Sequence, residues 1–175
     1  KKTGGNNHFI VKQSFSIFDR TINIPAYTFA GIDHISYSDI SYVSNGSKHA
    51  FVLGGNFIYN RFNENGISNR DNTTGTGGLY GQHTWDASDA IKLESGLRVD
   101  AVKYSNSLYQ NTEVFVLPRI SLLAKFNAKW SSRIGGGMGY KSPTLFTEAT
   151  EAIQYQNVAQ LNNARSERSY GGTAD

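Results

Sequence analysis

The 175-residue chain contains no cysteine, which excludes disulfide bridges and thiolate metal sites. Proline is scarce at 3 residues, while Gly (18), Tyr (10) and Phe (10) are plentiful, a balance that suits many strands joined by turns. No apolar run approaches the ~18 residues of a membrane-crossing helix. The 17 basic and 14 acidic residues are scattered, with a net charge of +3 and no Lys/Arg block, so there is no nucleic-acid footprint. A mean hydropathy below zero ordinarily indicates a water-soluble protein. A transmembrane β-barrel escapes that inference, because its lumen-facing residues are polar and its strands alternate. The chain opens Lys1-Lys2-Thr3-Gly4 without a signal peptide and stops at Asp175 within a strand pattern, so both ends read as cuts in a longer protein.

What is present is period-2 alternation. Over 90–100, Ile91, Leu93, Leu97, Val99 and Ala101 share one face with Ser95, and Lys92, Glu94, Gly96, Arg98 and Asp100 share the other. A helix would spread those charges around its whole surface, so a strand is predicted. Weaker versions recur near Phe9–Ile17 and over 32–44, 48–60, 76–86, 114–127, 130–140 and 164–175. This gives about eight strands of the ~9–11 residues that a tilted membrane strand needs. Pro118 conflicts with its strand and is expected to mark a bulge or a fraying rim, since it cannot donate a ladder hydrogen bond.

The connections alternate in length. Segments 19–31, 61–75, 105–113 and 141–163 read as long, and 45–47, 87–89 and 128–129 as short. Bacterial outer-membrane barrels have short periplasmic turns and longer outer loops. Trp85 closes one strand before a short turn and Trp130 opens another after one, both with outward parity, as an interfacial aromatic girdle requires. The fold class expected is therefore all-β, an antiparallel transmembrane β-barrel of which the chain forms about eight strands of a larger barrel.

Several phrases resemble the TonB-dependent receptors, in particular their Bacteroidetes-type members. Gly78-Leu79-Tyr80-Gly81-Gln82-His83-Thr84-Trp85 resembles the family strand ending in Gln-x-x-Trp, and Glu94-Ser95-Gly96-Leu97-Arg98-Val99-Asp100 resembles its Gly-Leu-Arg-x-Asp strand. Pro118-Arg119-Ile120-Ser121-Leu122 resembles a Pro-Arg-x-Ser-Leu opening, and 137–148 a Gly-Tyr-Lys-x-Pro-Thr-x-Phe-Thr-Glu segment. Glu167-Arg168-Ser169-Tyr170-Gly171 resembles the strand that follows. The phrases keep the family's order over about 78–175, and the first third matches in style alone. The resemblance implies that residues 1–175 are a partial receptor barrel, lacking the plug domain, the TonB box and the C-terminal strand of a 22-stranded transporter. It further implies bacterial outer-membrane localisation and active uptake of a scarce nutrient such as a ferric siderophore, haem or cobalamin. The implied partners are TonB, an extracellular small-molecule cargo and outer-membrane lipid, with no enzyme activity and no cofactor. A small passive or structural porin-like barrel is the alternative.

No catalytic, metal or substrate-binding set stands out. Lys92, Glu94, Arg98, Asp100, Arg119, Lys125 and Arg133 are expected to face the lumen, as cross-strand charge pairs or as contacts to plug or cargo; of Glu167 and Arg168, one can. His8, His34, His49 and His83 match no metal motif, and His49 and His83 fall near the short-turn ends, away from any rim where a Ser-His enzyme site would lie. Glu148 and Glu151 read as solvated loop charge. Gly135, Gly136, Gly137 and Gly139 lack the Lys-Ser/Thr and helix of a phosphate loop and read as room for a close neighbour. Tyr104, Tyr109, Tyr140, Phe146 and Tyr155 lie in or beside the long loops, either to stack on a ligand or to form an upper girdle, which parity favours for Tyr140.

Overall fold

The computed structural model describes residues 7–66, 70–143, 157–160, 162–163 and 165–175. These form one antiparallel sheet of eight strands: β1 (Asn7–Ile24), β2 (Tyr27–Asn45), β3 (His49–Glu64), β4 (Asn72–Asp86), β5 (Ile91–Asn106), β6 (Gln110–Lys125), β7 (Ser131–Lys141) and β8 (Glu167–Ala174). Each strand pairs with its sequence neighbours in the order β1 to β8, the meander of a barrel wall, and the sheet is open at β1 and β8.

The register fixes which side chains share a face. Val11 opposes Ile40, Ile40 opposes Gly55 and Gly55 opposes Leu79. Leu79 opposes Val99, and Val99 opposes Val116. This face carries Phe15, Leu79 and Trp130 at 76%, 72% and 71% exposure, together with Ile17, Leu53, Phe57, Leu97 and Ile120. So continuous an apolar surface is untenable in water and marks a membrane-facing wall.

The strands are longer than the alternation predicts. β3, β5 and β6 each have 16 residues and β2 has 19. At ~3.3 Å per residue and a tilt of ~45°, a 16-residue strand rises about 37 Å, against an apolar band of ~25 Å. The wall therefore stands clear of the bilayer at the end away from the 46–48, 87–90 and 126–130 turns, the short-turn end of the expected pattern.

That excess length corrects the expected pattern of connections. The segment 19–31 is not a loop: β1 and β2 stay paired from Asn7↔Ser44 to Ile24↔Tyr27, with Pro25-Ala26 as the turn. Pro25 presets the first central position and Ala26 takes φ 65° at the second, the type II pattern. Likewise β5 and β6 pair up to Ser105↔Gln110, leaving a turn over 107–109. The remaining connections are 46–48, 65–71, 87–90, 126–130 and the long 142–166, so strict long–short alternation does not hold. Asn106 and Asn127 close their turns by accepting backbone N–H groups, Asn106 Oδ1 from Leu108 (2.9 Å) and Tyr109 (2.8 Å), and Asn127 Oδ1 from Lys129 (2.8 Å) and Trp130 (3.0 Å).

Pro118 lies mid-strand, opposite Leu97 on one side. On the other side the β6–β7 ladder runs from Lys125↔Ser131 only to Arg119↔Gly137. The Pro118 carbonyl faces β7, 3.2 Å from where a Cβ on Gly137 would sit, so the missing N–H is one that β7 would have used. Fraying at Pro118 is thus one-sided.

Candidate functional site

The second face of the sheet is polar, and its centre is a hydrogen-bonded cluster. One row across the strands runs Asp39↔Asn56, Asn56↔Gly78, Gly78↔Asp100 and Asp100↔Phe115. The adjacent row runs Ser41↔Gly54, Gly54↔Tyr80 and Tyr80↔Arg98. Because these residues share the inner face, their side chains meet. Arg98 donates through Nε to Asp100 Oδ2 (2.8 Å) and through Nη2 to Asn56 Oδ1 (2.7 Å). Its guanidinium also lies 5.7 Å from the Tyr80 ring centroid. Tyr80 donates to Asp39 Oδ2 (2.8 Å) and Tyr140 to Asp100 Oδ2 (3.0 Å).

Asp100 and Asp39 are buried at 2% and 5% exposure, and a buried carboxylate persists only when paired or hydrogen-bonded. Asp100 Oδ1 lies 2.7 Å from Arg98 Nε as an ion pair without hydrogen-bond alignment. Asp39 Oδ1 has no hydrogen-bond partner among the described residues. Two glycines make room for this packing. A Cβ on Gly78 would overlap Asp100, Arg98 and Asn56, and one on Gly54 would lie 2.5 Å from Tyr80 Cζ.

A second cluster stands at the rim. Arg70 makes a two-pronged ion pair with Glu64, the side chains 5% and 1% exposed, and also donates to the Tyr27 hydroxyl and, at 3.3 Å, to the carbonyl of Val158. Burial alone would lower the Arg70 pKa, but its hydrogen bonds to Glu64 and Tyr27 outweigh it and raise the value. Gln160 Nε2 donates to Ser107 Oγ (2.7 Å), and Ser166 donates to Glu113 Oε2 through its N–H (3.0 Å) and its hydroxyl (2.6 Å). The described parts of the 142–166 connection are thereby fastened to β6, the β5–β6 turn and the β3–β4 loop. The buried apolar residues Phe29, Val102, Tyr104 and Phe115 lie on the inner face between the central cluster and this end of the sheet.

The structure places Lys92, Glu94, Arg98, Asp100, Arg119, Lys125 and Arg133 on the inner face, as alternation predicts. Among the described residues, the expected ladder of cross-strand charge pairs is realised only between Lys92 and Asp86 (3.1 Å), both well exposed; Arg98 and Asp100 pair along one strand. Arg168 turns inward, its guanidinium 5.4 Å from the Phe115 ring centroid. Gly135 and Gly137 lie beside Ser121 and Arg119, in a concavity of about 430 Å³ bounded also by Arg133, Ser169 and Thr173.

Tyr140 departs from the parity reading. Its ring stacks on Phe115 at 4.1 Å and its hydroxyl reaches Asp100, so it belongs to the inner cluster and not to a lipid-facing girdle. The β6–β7 ladder stops at Arg119↔Gly137, so beyond it the alternation counted along that ladder no longer fixes the side on which Tyr140 lies. Tyr104 is buried at 4% exposure and offers no ligand platform. Phe146, Glu148, Glu151 and Tyr155 lie outside the described residues. The Arg70–Glu64–Tyr27 cluster escapes sequence reading because its members are separated along the chain and none shows alternation; Arg70, the one basic residue in the sequence 65–71, was the available signal. Trp85 and Trp130 are both exposed at the short-turn end, as expected of a girdle.

Comparison with known proteins agrees with this architecture. The family model "TonB dependent receptor-like, beta-barrel" matches residues 3–171. The solved structure of a copper transporter, OprC, superposes with a TM-score of 0.58 at 12% identity, over 80% of this chain and 28% of that one. The chain therefore spans little more than a quarter of that neighbour's length. No curated protein matches the chain by sequence.

Proposed function

The chain belongs to the TonB-dependent receptor β-barrel family, and from that premise we propose that it forms part of the wall of an outer-membrane receptor for active uptake of a scarce nutrient. The cargo class is a small extracellular compound such as a ferric siderophore, haem or cobalamin, and TonB supplies the drive. The observation that carries this reading is the two-faced sheet: a continuous apolar surface on one side, and on the other a hydrogen-bonded polar wall centred on half-buried Arg98 and buried Asp100. A passive pore is served by water-lined charge. A wall that stays rigid against a neighbour is better served by a hydrogen-bonded network whose members hold one another in place.

Uptake of labelled ferric siderophore, haem, cobalamin and copper by cells expressing the full-length receptor tests the proposal. Accumulation of one cargo that disappears in TonB-deficient cells is expected. Entry that is indifferent to TonB would favour the porin-like alternative.

A further inference from the structure

The fold brings together two histidines that lie far apart in sequence. His49 opposes Trp85, Phe51 opposes His83, and all four project from the apolar face at the short-turn end of β3 and β4. His49 Nδ1 stands 3.0 Å from His83 Nε2. The ring centroids are 5.2 Å apart and the planes differ by 16°, so the imidazoles meet edge to edge, one nitrogen donating its proton to the other. The Phe51 ring lies parallel to His83 at 4.5 Å and the Trp85 ring parallel to His49 at 6.2 Å, flanking the pair on both sides.

We propose that His49 and His83 form a two-imidazole site for a divalent late transition ion, with Cu2+ bound most tightly. Metal–nitrogen bonds of ~2.1 Å at the right angles of a square-planar Cu2+ site put two donor nitrogens ~3 Å apart, which is the separation already present. Binding needs no opening of the strands. Each ring swings by roughly 45° until both lone pairs converge on one point, a motion open to side chains on an exposed face. The ring that now donates moves its proton to its other nitrogen, so both imidazoles bind neutral and no proton is released. Imidazole donors favour Cu2+ and Zn2+, and Cu2+ leads by the Irving–Williams order. No third His, Cys, Asp or Glu completes a cluster among the described residues. The remaining positions fall to water, which is available at a bilayer interface, where Trp85 and Trp130 place this end of the wall.

The spacing of His49 and His83 in the chain hides this arrangement, because strand pairing and not local sequence makes them neighbours. The site lies on the outer surface of the wall and is independent of the cargo reading.

The test is Cu2+ titration of the folded full-length receptor in detergent, followed by electron paramagnetic resonance, on wild type, His49→Gln and His83→Gln. A Cu2+ signal coupled to two nitrogens is expected in wild type. Each variant should lose that signal and bind Cu2+ at least about tenfold more weakly at one site, because a single donor forfeits the gain from chelation. Retained heat-modifiable migration on gels shows that the variants still fold. Identical spectra and isotherms in all three proteins would overturn the proposal, as would a wild-type spectrum lacking two-nitrogen coupling.

Discussion

At the scale of single residues, the inner wall depends on what is missing from Gly78 as much as on what Arg98 and Asp100 supply. Asn56, Arg98 and Asp100 converge where a side chain at 78 would stand. Gly78→Ala should destabilise the barrel by about 1–3 kcal/mol, since the cluster must be displaced to admit a methyl group. Gly96→Ala on the same face is the control: its Cβ would meet nothing closer than 3.5 Å, and the change should fall within about 0.5 kcal/mol. Urea midpoints of the two variants of the full-length receptor, read by gel mobility, check the contrast; equal midpoints would mean that the cluster is not rigid. The inward aim of Arg98 and Asp100 was legible in the sequence because strict alternation forces it. The bond of Asp100 to Tyr140 was not, because Tyr140 has outward parity and lies past the end of the β6–β7 ladder.

At the scale of elements, the sequence showed the number and order of the strands and misjudged their ends. Alternating apolar residues report the part of a strand that faces lipid. Above the bilayer both faces meet water or protein, so Asp19-Arg20-Thr21 in β1 reads as loop while its ladder to β2 stays complete. The long connection posed the opposite difficulty, since the groups that fasten it come from β6 and two other connections. Arg70 joins its own loop to three further segments, bonding Glu64 of β3, Tyr27 of β2 and Val158 beyond β7. Glu64→Ala leaves a buried guanidinium uncompensated and should cost about 3–5 kcal/mol locally. Hydrogen exchange in the full-length receptor should then quicken at 157–160 as well as at 65–71. The double variant Glu64→Leu/Arg70→Leu should recover part of the protection. Faster exchange confined to 65–71 would show that Arg70 does not tether the long connection.

At the scale of the whole molecule, eight strands give one wall with two solvents. The outward Phe15, Leu79 and Leu97 suit hydrocarbon, and the inward Asp39, Arg98 and Asp100 suit a polar lumen. β5 carries this division most cleanly, and the chain has no cysteine of its own to interfere. Single cysteines placed in turn at positions 92 to 99 of a cysteine-free full-length receptor, in native outer membranes, should therefore report the wall directly. Positions 93, 95, 97 and 99 should react with a membrane-partitioning maleimide and resist a charged one, and positions 92, 94, 96 and 98 should not react with the membrane-partitioning reagent. Reactivity without a two-residue period, or with the period reversed, would contradict a lipid-facing β5 and with it the assignment of this chain to an outer-membrane barrel wall.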